Sequence, residues 1–240
     1  MLYSERAPRK ELSAFVDAFW WSHTPAGTVG RVLPDGCVDI LVEAGQAPRV
    51  VGSMTRAKTV QSNGAPMFGI RFKPGGAAIL LGLSVNELVD VSTHWDGLTA
   101  PMQSTLQGGL LQTQPCIARV EHWLLTGRIE VDQRLVRAGR LAASCLTPEG
   151  SSIRQLADRS GVSRQHLRRE VLYATGLTPK LLQRIGRLQR AVAQLREEDW
   201  ELVRVAIRSG YCDQAHFCNE FRELVGVTPR TFAQELDTLH

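Results

Sequence analysis

His166–Pro179 reads HLRREVLYATGLTP, and His216–Pro229 reads HFCNEFRELVGVTP. His, Glu, Gly, Thr and Pro keep their places in two phrases fifty residues apart. A phrase written twice implies a structural unit built twice. Working outward, Leu156-Ala157 and Arg159-Ser160-Gly161 recur as Val205-Ala206 and Arg208-Ser209-Gly210, at an offset of 49. The extra residue falls in the turn that follows, where an insertion is tolerated.

Each copy has the punctuation of a helix-turn-helix. Ser151 or Ser152 is placed to cap a helix whose Ile153, Leu156 and Ala157 make an apolar face, Gly161 breaks it, and Ser163 caps the next helix, whose Leu167 and Val171 turn inward. The Gly-x-Thr-Pro phrases at 176–179 and 226–229 read as a helix stop, a cap and a proline-tolerant first turn. The stretch TPKLLQRIGRLQRAVAQL between the copies predicts one long joining helix.

The first half is written differently. From Phe19 to about Lys73, short apolar runs alternate with turn signals such as TPAG, LPDG and NGAP, the pattern of a sheet or small barrel. Leu12, Phe15, Val16 and Phe19 stand at helical spacing and predict a short helix entering the first strand. GGAAILLGL, VNELVD, APMQSTLQGGLL, PCIARVEHWLL and VDQRLVRAGRLAASCL read as helices, with Pro115 and Gly127 as punctuation. The fold class expected is α+β: a mixed β-rich domain with a small barrel-like sheet and trailing helices over 1–146, then an all-α domain over 147–240, parted at TPEGSS.

Composition narrows the function classes. With 43% hydrophobic and 22% charged residues the chain is globular, and it lacks both a long apolar run and a secretion-signal core, so a cytoplasmic protein with no membrane partner is expected. Five scattered cysteines do not make a disulfide framework. The net charge of +4 decides little, but its distribution is informative. Val131–Arg190 carries twelve Lys/Arg against four acids, whereas Leu195–His240 carries five against nine. A polyanion should meet the first of these segments.

These residues resemble the AraC/XylS family of bacterial transcriptional regulators, through LADRSGVSRQHLRR, RIGRLQRAVAQL and VAIRSGYCDQAHFCNEFRELVGVTPRTF. FVDAFWW, VLPDGCVDILV and FGIRFKPGG resemble a class of domain found ahead of such regulators, taken to sense a small molecule or to oligomerise. The resemblance implies that the second helix of each unit enters the major groove of double-stranded DNA. The positions that match base contacts are Gln165, Arg168 and Arg169, with Arg164 beside them.

In the second unit, Phe217 and Phe221 read as core and leave Asp213, Gln214, Asn219 and Arg222 outward. Arginine suits guanine, and Gln or Asn suits adenine. Glu220 and Glu223 nearby should oppose phosphate, so the first unit is expected to supply most of the affinity, with RNA polymerase as another partner for the second. Arg184, Arg187 and Arg190 on the joining helix have two open readings: reaching phosphates, or knitting the units together.

Other chemistries are weaker. Cys212, His216 and Cys218 do not converge at helical spacing, the six histidines are scattered, and no metal, cofactor or catalytic set is called for. Trp20, Trp21, Asp35 and Arg71 are the candidate effector-binding residues. An N-terminal enzyme acting on a small molecule, or a domain that only makes a homodimer, are the alternatives kept.

Overall fold

The computed structural model describes residues 2–95, 99–111, 114–126, 132–147, 152–197 and 200–237. In chain order the strands are β1 (Leu2–Arg6), β2 (Val16–His23), β3 (Val29–Val32), β4 (Val38–Glu43), β5 (Arg49–Val51), β6 (Lys58–Gln61), β7 (Met67–Phe72) and β8 (Ser92–His94). Six form an antiparallel sheet in the order β1-β2-β7-β4-β5-β8, and β3 and β6 form a separate two-stranded ribbon. The sheet is open, with β1 and β8 at its edges.

Alternation along the central strands builds the core. Phe19 and Trp21 of β2, Phe68, Ile70 and Phe72 of β7, and Val38, Ile40 and Val42 of β4 all lie on one buried face. Helices α1 (Gly76–Leu81), α2 (Ala100–Gly108) and α3 (Gln114–Thr126) cover it through Leu80, Leu106, Ile117, Val120 and Leu124. Burying each large apolar side chain contributes about 1.5–3 kcal/mol.

The helix expected around Leu12 and Phe19 is not formed. Residues 10–15 make tight turns, with Leu12 N donating to Arg9 O and Val16 N to Leu12 O, and β2 starts at Val16. Leu12, Val16 and Phe19 are still buried, because a turn followed by a bulged strand between Val16 and Ala18 brings them to the same core. Strands β1 and β8 lie outside the segment read as sheet. Four of the five β1 residues are exposed, so it shows no alternation to read.

The second half contains α4 (Gln133–Leu146), α5 (Ile153–Arg159), α6 (Arg164–Thr175), α7 (Pro179–Leu195), α8 (Leu202–Ser209), α9 (Gln214–Val225) and α10 (Pro229–Asp237). Two cores share α7. Leu182 and Ile185 close on α4, α5 and α6, whereas Leu188, Ala191, Val192 and Leu195 close on α8, α9 and α10. Helix α4 precedes the boundary expected at 146/147, yet its Leu141, Ala142 and Cys145 lie in the same cluster as Leu167 and Val171 of α6. The turn at 148–151 is outside the described residues.

The duplication therefore extends further back than the quoted phrase. Arg137-Ala-Gly139-Arg-Leu141 of α4 matches Arg184-Ile-Gly186-Arg-Leu188 of α7. Both glycines sit where a Cβ would collide with backbone: 2.9 Å from Pro74 O at Gly139 and 2.5 Å from Leu146 O at Gly186. Each unit is thus three helices, α4-α5-α6 and α7-α8-α9.

The two halves are in contact. Gln189 Nε2 of α7 donates to Pro34 O at 2.7 Å, Ala57 N donates to Leu224 O of α9 at 2.7 Å, and Arg31 of β3 pairs with Glu235 of α10 at 2.8 Å.

Candidate nucleic-acid interface

Local capping sets both candidate reader helices. Ser163 Oγ accepts from His166 N at 3.1 Å to start α6, and Asp213 Oδ1 accepts from His216 N at 2.7 Å to start α9. Asp213, read in the sequence as an outward group, is used as this cap. Gly176 and Gly226, with φ of 72° and 88°, end the two helices in the left-handed region. Thr178 and Thr228 then accept from Leu181 N and Thr231 N. The histidine shared by the two phrases is the residue whose N–H each cap holds.

Helix α6 turns Leu167, Val171 and Ala174 inward and leaves Arg164, Gln165, Arg168 and Arg169 exposed. Among the described residues Arg164 and Arg168 have no ion-pair partner. Arg169 is partly engaged, with Nη2 at 2.8 Å from His166 Nδ1 and Nε at 3.4 Å from Glu170. Helix α9 turns Phe217, Phe221, Leu224 and Val225 inward and leaves Gln214, Ala215, Asn219 and Arg222 exposed.

The glutamate common to both phrases is buried in both units. Glu170 is 1% exposed, and Arg134 of α4 grips it twice, at 3.0 and 3.2 Å. These hydrogen bonds hold the Glu170 carboxyl below its ordinary range. Glu220 is 8% exposed and faces two guanidinium groups of α7: Arg187 through three bonds of 2.8–3.1 Å, and Arg184 at 3.0 Å. Arg184 also holds Glu223 at 2.7 Å.

Arg187 is therefore turned inward, with its guanidinium also 5.4 Å from the centre of the Tyr211 ring. Arg190 donates to Leu146 O at 3.0 Å and to Ser209 O at 3.2 Å, tying the ends of α4 and α8. The acidic surroundings expected to repel a phosphate are neutralised within the protein.

In the N-terminal half, Trp20, Asp35 and Arg71 come together with Asp39. Trp20 Nε1 donates to Asp39 Oδ1 at 2.9 Å, and Arg71 lies 3.6 Å from Asp35, 3.9 Å from Asp39 and 3.0 Å from Glu5. Asp35 Oδ1 accepts from Cys37 N. Burial, with the charge of Asp35 added, pushes the Asp39 carboxyl up to about 7. Trp21 lies on the opposite sheet face and donates to Gly109 O. A cleft of about 310 Å³ opens elsewhere, between the starts of α8 and α9, lined by Trp200, Leu202, Val203, Gln214 and Arg230.

Among the described residues no group of three His, Cys, Asp or Glu could hold a metal ion. His216 Nδ1 accepts from Cys212 N, and its ring packs edge-on against Tyr211 at 5.3 Å. Among the same residues no helix is long and apolar enough to cross a membrane.

Comparison with known proteins places a helix-turn-helix domain over the same helices. Residues 156–235 match a family model described as a helix-turn-helix domain, and residues 4–94 match one described as a domain of unknown function (DUF6597). The probable transcription factor PqrA of Proteus vulgaris is 33% identical over 86 residues, which cover 36% of this chain and 70% of PqrA. The chain belongs to the AraC/XylS family of transcriptional regulators.

The invasion protein InvF of Salmonella typhimurium is 33% identical to this family member over 81 residues. That match takes in 34% of this chain and 38% of InvF, so the chain spans well under half of that relative. Among solved structures, a variant of apo ToxT from Vibrio cholerae aligns over 95% of this AraC/XylS chain and 98% of its own, with a TM-score of 0.50 at 12% identity. That similarity is one of fold: a β-rich N-terminal part followed by a helical part with a helix-turn-helix.

Proposed function

We propose that this chain is a sequence-specific DNA-binding transcriptional regulator, working in the cytoplasm without catalysing a reaction. The observation that carries this reading is the exposed row Arg164, Gln165, Arg168 and Arg169, rigidly capped and repeated in position by α9. Helix α6 lies in the major groove, with its arginines on guanine edges and phosphates and Gln165 on adenine. Helix α9 enters the next groove with Gln214, Asn219 and Arg222. Arg187 serves the reading indirectly, by fixing α9 on α7.

The first unit supplies most of the affinity, since its face carries three arginines where the second carries one. The N-terminal half senses a small molecule at the Trp20–Asp35–Arg71 cluster, or joins two copies of the chain. Either event reaches the reader helices through the loop at 33–37, which rests on α7. RNA polymerase is the second macromolecular partner.

Mobility shift against genomic fragments tests the core of this proposal. The Arg168→Ala, Arg169→Ala double variant should lose specific complexes while keeping its helical circular dichroism. A double variant that binds the same fragments as tightly as the parent would end the proposal.

A further inference from the structure

Aligned at the offset of fifty, the outward positions of the two reader helices differ in one consistent respect: reach. Arg164, Gln165, Arg168 and Arg169 of α6 correspond to Gln214, Ala215, Cys218 and Asn219 of α9. Gln165 and Arg169 give way to the short, exposed Ala215 and Asn219, and Arg168 to Cys218, which packs against the second core. At about 100° per residue, Ala215 lies opposite the buried Phe217 and Leu224, at the middle of the exposed face. Asn219 and Arg222 flank it on the same face.

Resting on the proposed reading that both helices enter the major groove, we infer that the two units read different base compositions, with Ala215 contacting a thymine methyl and Asn219 an adenine in the half-site of α9. The thymine methyl is the apolar group that a major groove offers, and a side chain ending at Cβ can give it only van der Waals contact. Asparagine pairs with adenine N6 and N7. Both side chains are short, so α9 must sit deeper than α6 does behind its arginines.

Such an approach brings the exposed Glu223, with the buried Glu220 behind it, toward a phosphate backbone. Arg184 and Arg187 cancel that cost, since they neutralise both carboxylates from the α7 side. The α6 half-site, read by Arg168 with Gln165 and Arg169, contains guanine. The expected operator has one G-containing and one A·T-containing half-site, about one duplex turn apart.

The test uses the full chain and duplexes selected from a random pool. Asn219→Ala assigns the half-site that belongs to α9, and each thymine there is then replaced by deoxyuridine, which lacks the methyl. One replacement should weaken binding about four-fold, the worth of one buried methyl group. Replacements in the other half-site should leave affinity unchanged, and Ala215→Gly should bind the thymine and deoxyuridine duplexes equally.

Equal binding of the two duplexes by the parent protein overturns the inference and leaves the DNA-binding reading standing. So does an α9 half-site without thymine, or a glycine variant that still prefers the methyl. A pool from which no duplex is enriched would sink the DNA-binding reading itself, and this inference with it.

Discussion

Arg187 on α7 and Glu220 on α9 are locked face to face, with Nε and Nη2 of the arginine donating to both carboxylate oxygens at 2.8–3.1 Å. Glu220 is almost wholly buried, so this pair fixes the rotation of α9 about its axis. That rotation decides which residues face outward. A residue with no direct access to a groove thus sets what the second reader presents.

Replacing Arg187 should therefore damage folding before it damages recognition. Breaking a buried pair by removing one partner costs about 3–5 kcal/mol. Because Arg184 stays on the same carboxylate and leaves its charge paired, Arg187→Ala should cost less than that, roughly 2 kcal/mol. Arg168→Ala, on an exposed site, should change stability by no more than about 0.5 kcal/mol. Urea titration of both variants checks this, and equal stability losses would refute the division of labour.

The helical half was legible because its signals are local chemistry: Ser163, Thr178, Gly176 and their counterparts act within four residues of themselves. The fate of the arginines was not. A guanidinium facing solvent and one facing a glutamate 33 or 36 residues along look alike in sequence, and only packing separates Arg168 from Arg184 and Arg187. Strand β1 escaped notice because an exposed edge carries no alternation. Trp20 and Trp21 stand side by side in the chain, but successive strand residues point to opposite faces. Ala215 carries no hydrogen-bonding group, so nothing in the sequence marks it as a contact.

Salt dependence counts the cations that reach phosphates. The apparent affinity should fall by about 0.9 log unit per log unit of salt for each phosphate neutralised. Removing Arg164, exposed and without an ion-pair partner among the described residues, should lower the slope by about one such step. Replacing Arg190, whose guanidinium is spent on Leu146 O and Ser209 O, should leave the slope unchanged. Fluorescence anisotropy over a salt series reads both, and a slope that drops for Arg190→Gln would place that arginine on DNA.

Two carboxylates make opposite contributions to stability against pH. Asp39 is pushed up to about 7 by burial and by Asp35, with Asp17 adding to the effect and Arg71 and Trp20 opposing it. The folded chain then binds this proton more tightly than the unfolded one. Its stabilising contribution is full below the unfolded value of about 3.9 and is lost as pH rises through 7. Glu170 is held low by Arg134, so its contribution is present above about 4.3 and is lost as pH falls. Between pH 5 and 8, Asp39→Asn should flatten the decline in melting temperature while keeping an acceptor for Trp20 Nε1. An unchanged pH profile in that variant would show that Asp39 titrates elsewhere.

The loop at 33–37 is the contact most exposed to test, because it touches α7 between the two units. Gly36 has φ of +81°, and a Cβ there would lie 3.0 Å from Leu182 Cδ2. Beside it Gln189 donates to Pro34 O. A valine at 36 meets both obstacles: left-handed backbone costs a branched residue about 1–2 kcal/mol, and Leu182 must give way within a packed core. Gly36→Val should therefore loosen the loop from α7 without touching the reader face. In calorimetry the parent should melt in a single transition, since its halves share side-chain and backbone contacts, and the variant should melt at a lower temperature, with the contacts of Ala57 and Arg31 left in place. A variant that still melts in one transition at the parent's temperature would show that the 33–37 loop does not couple the halves.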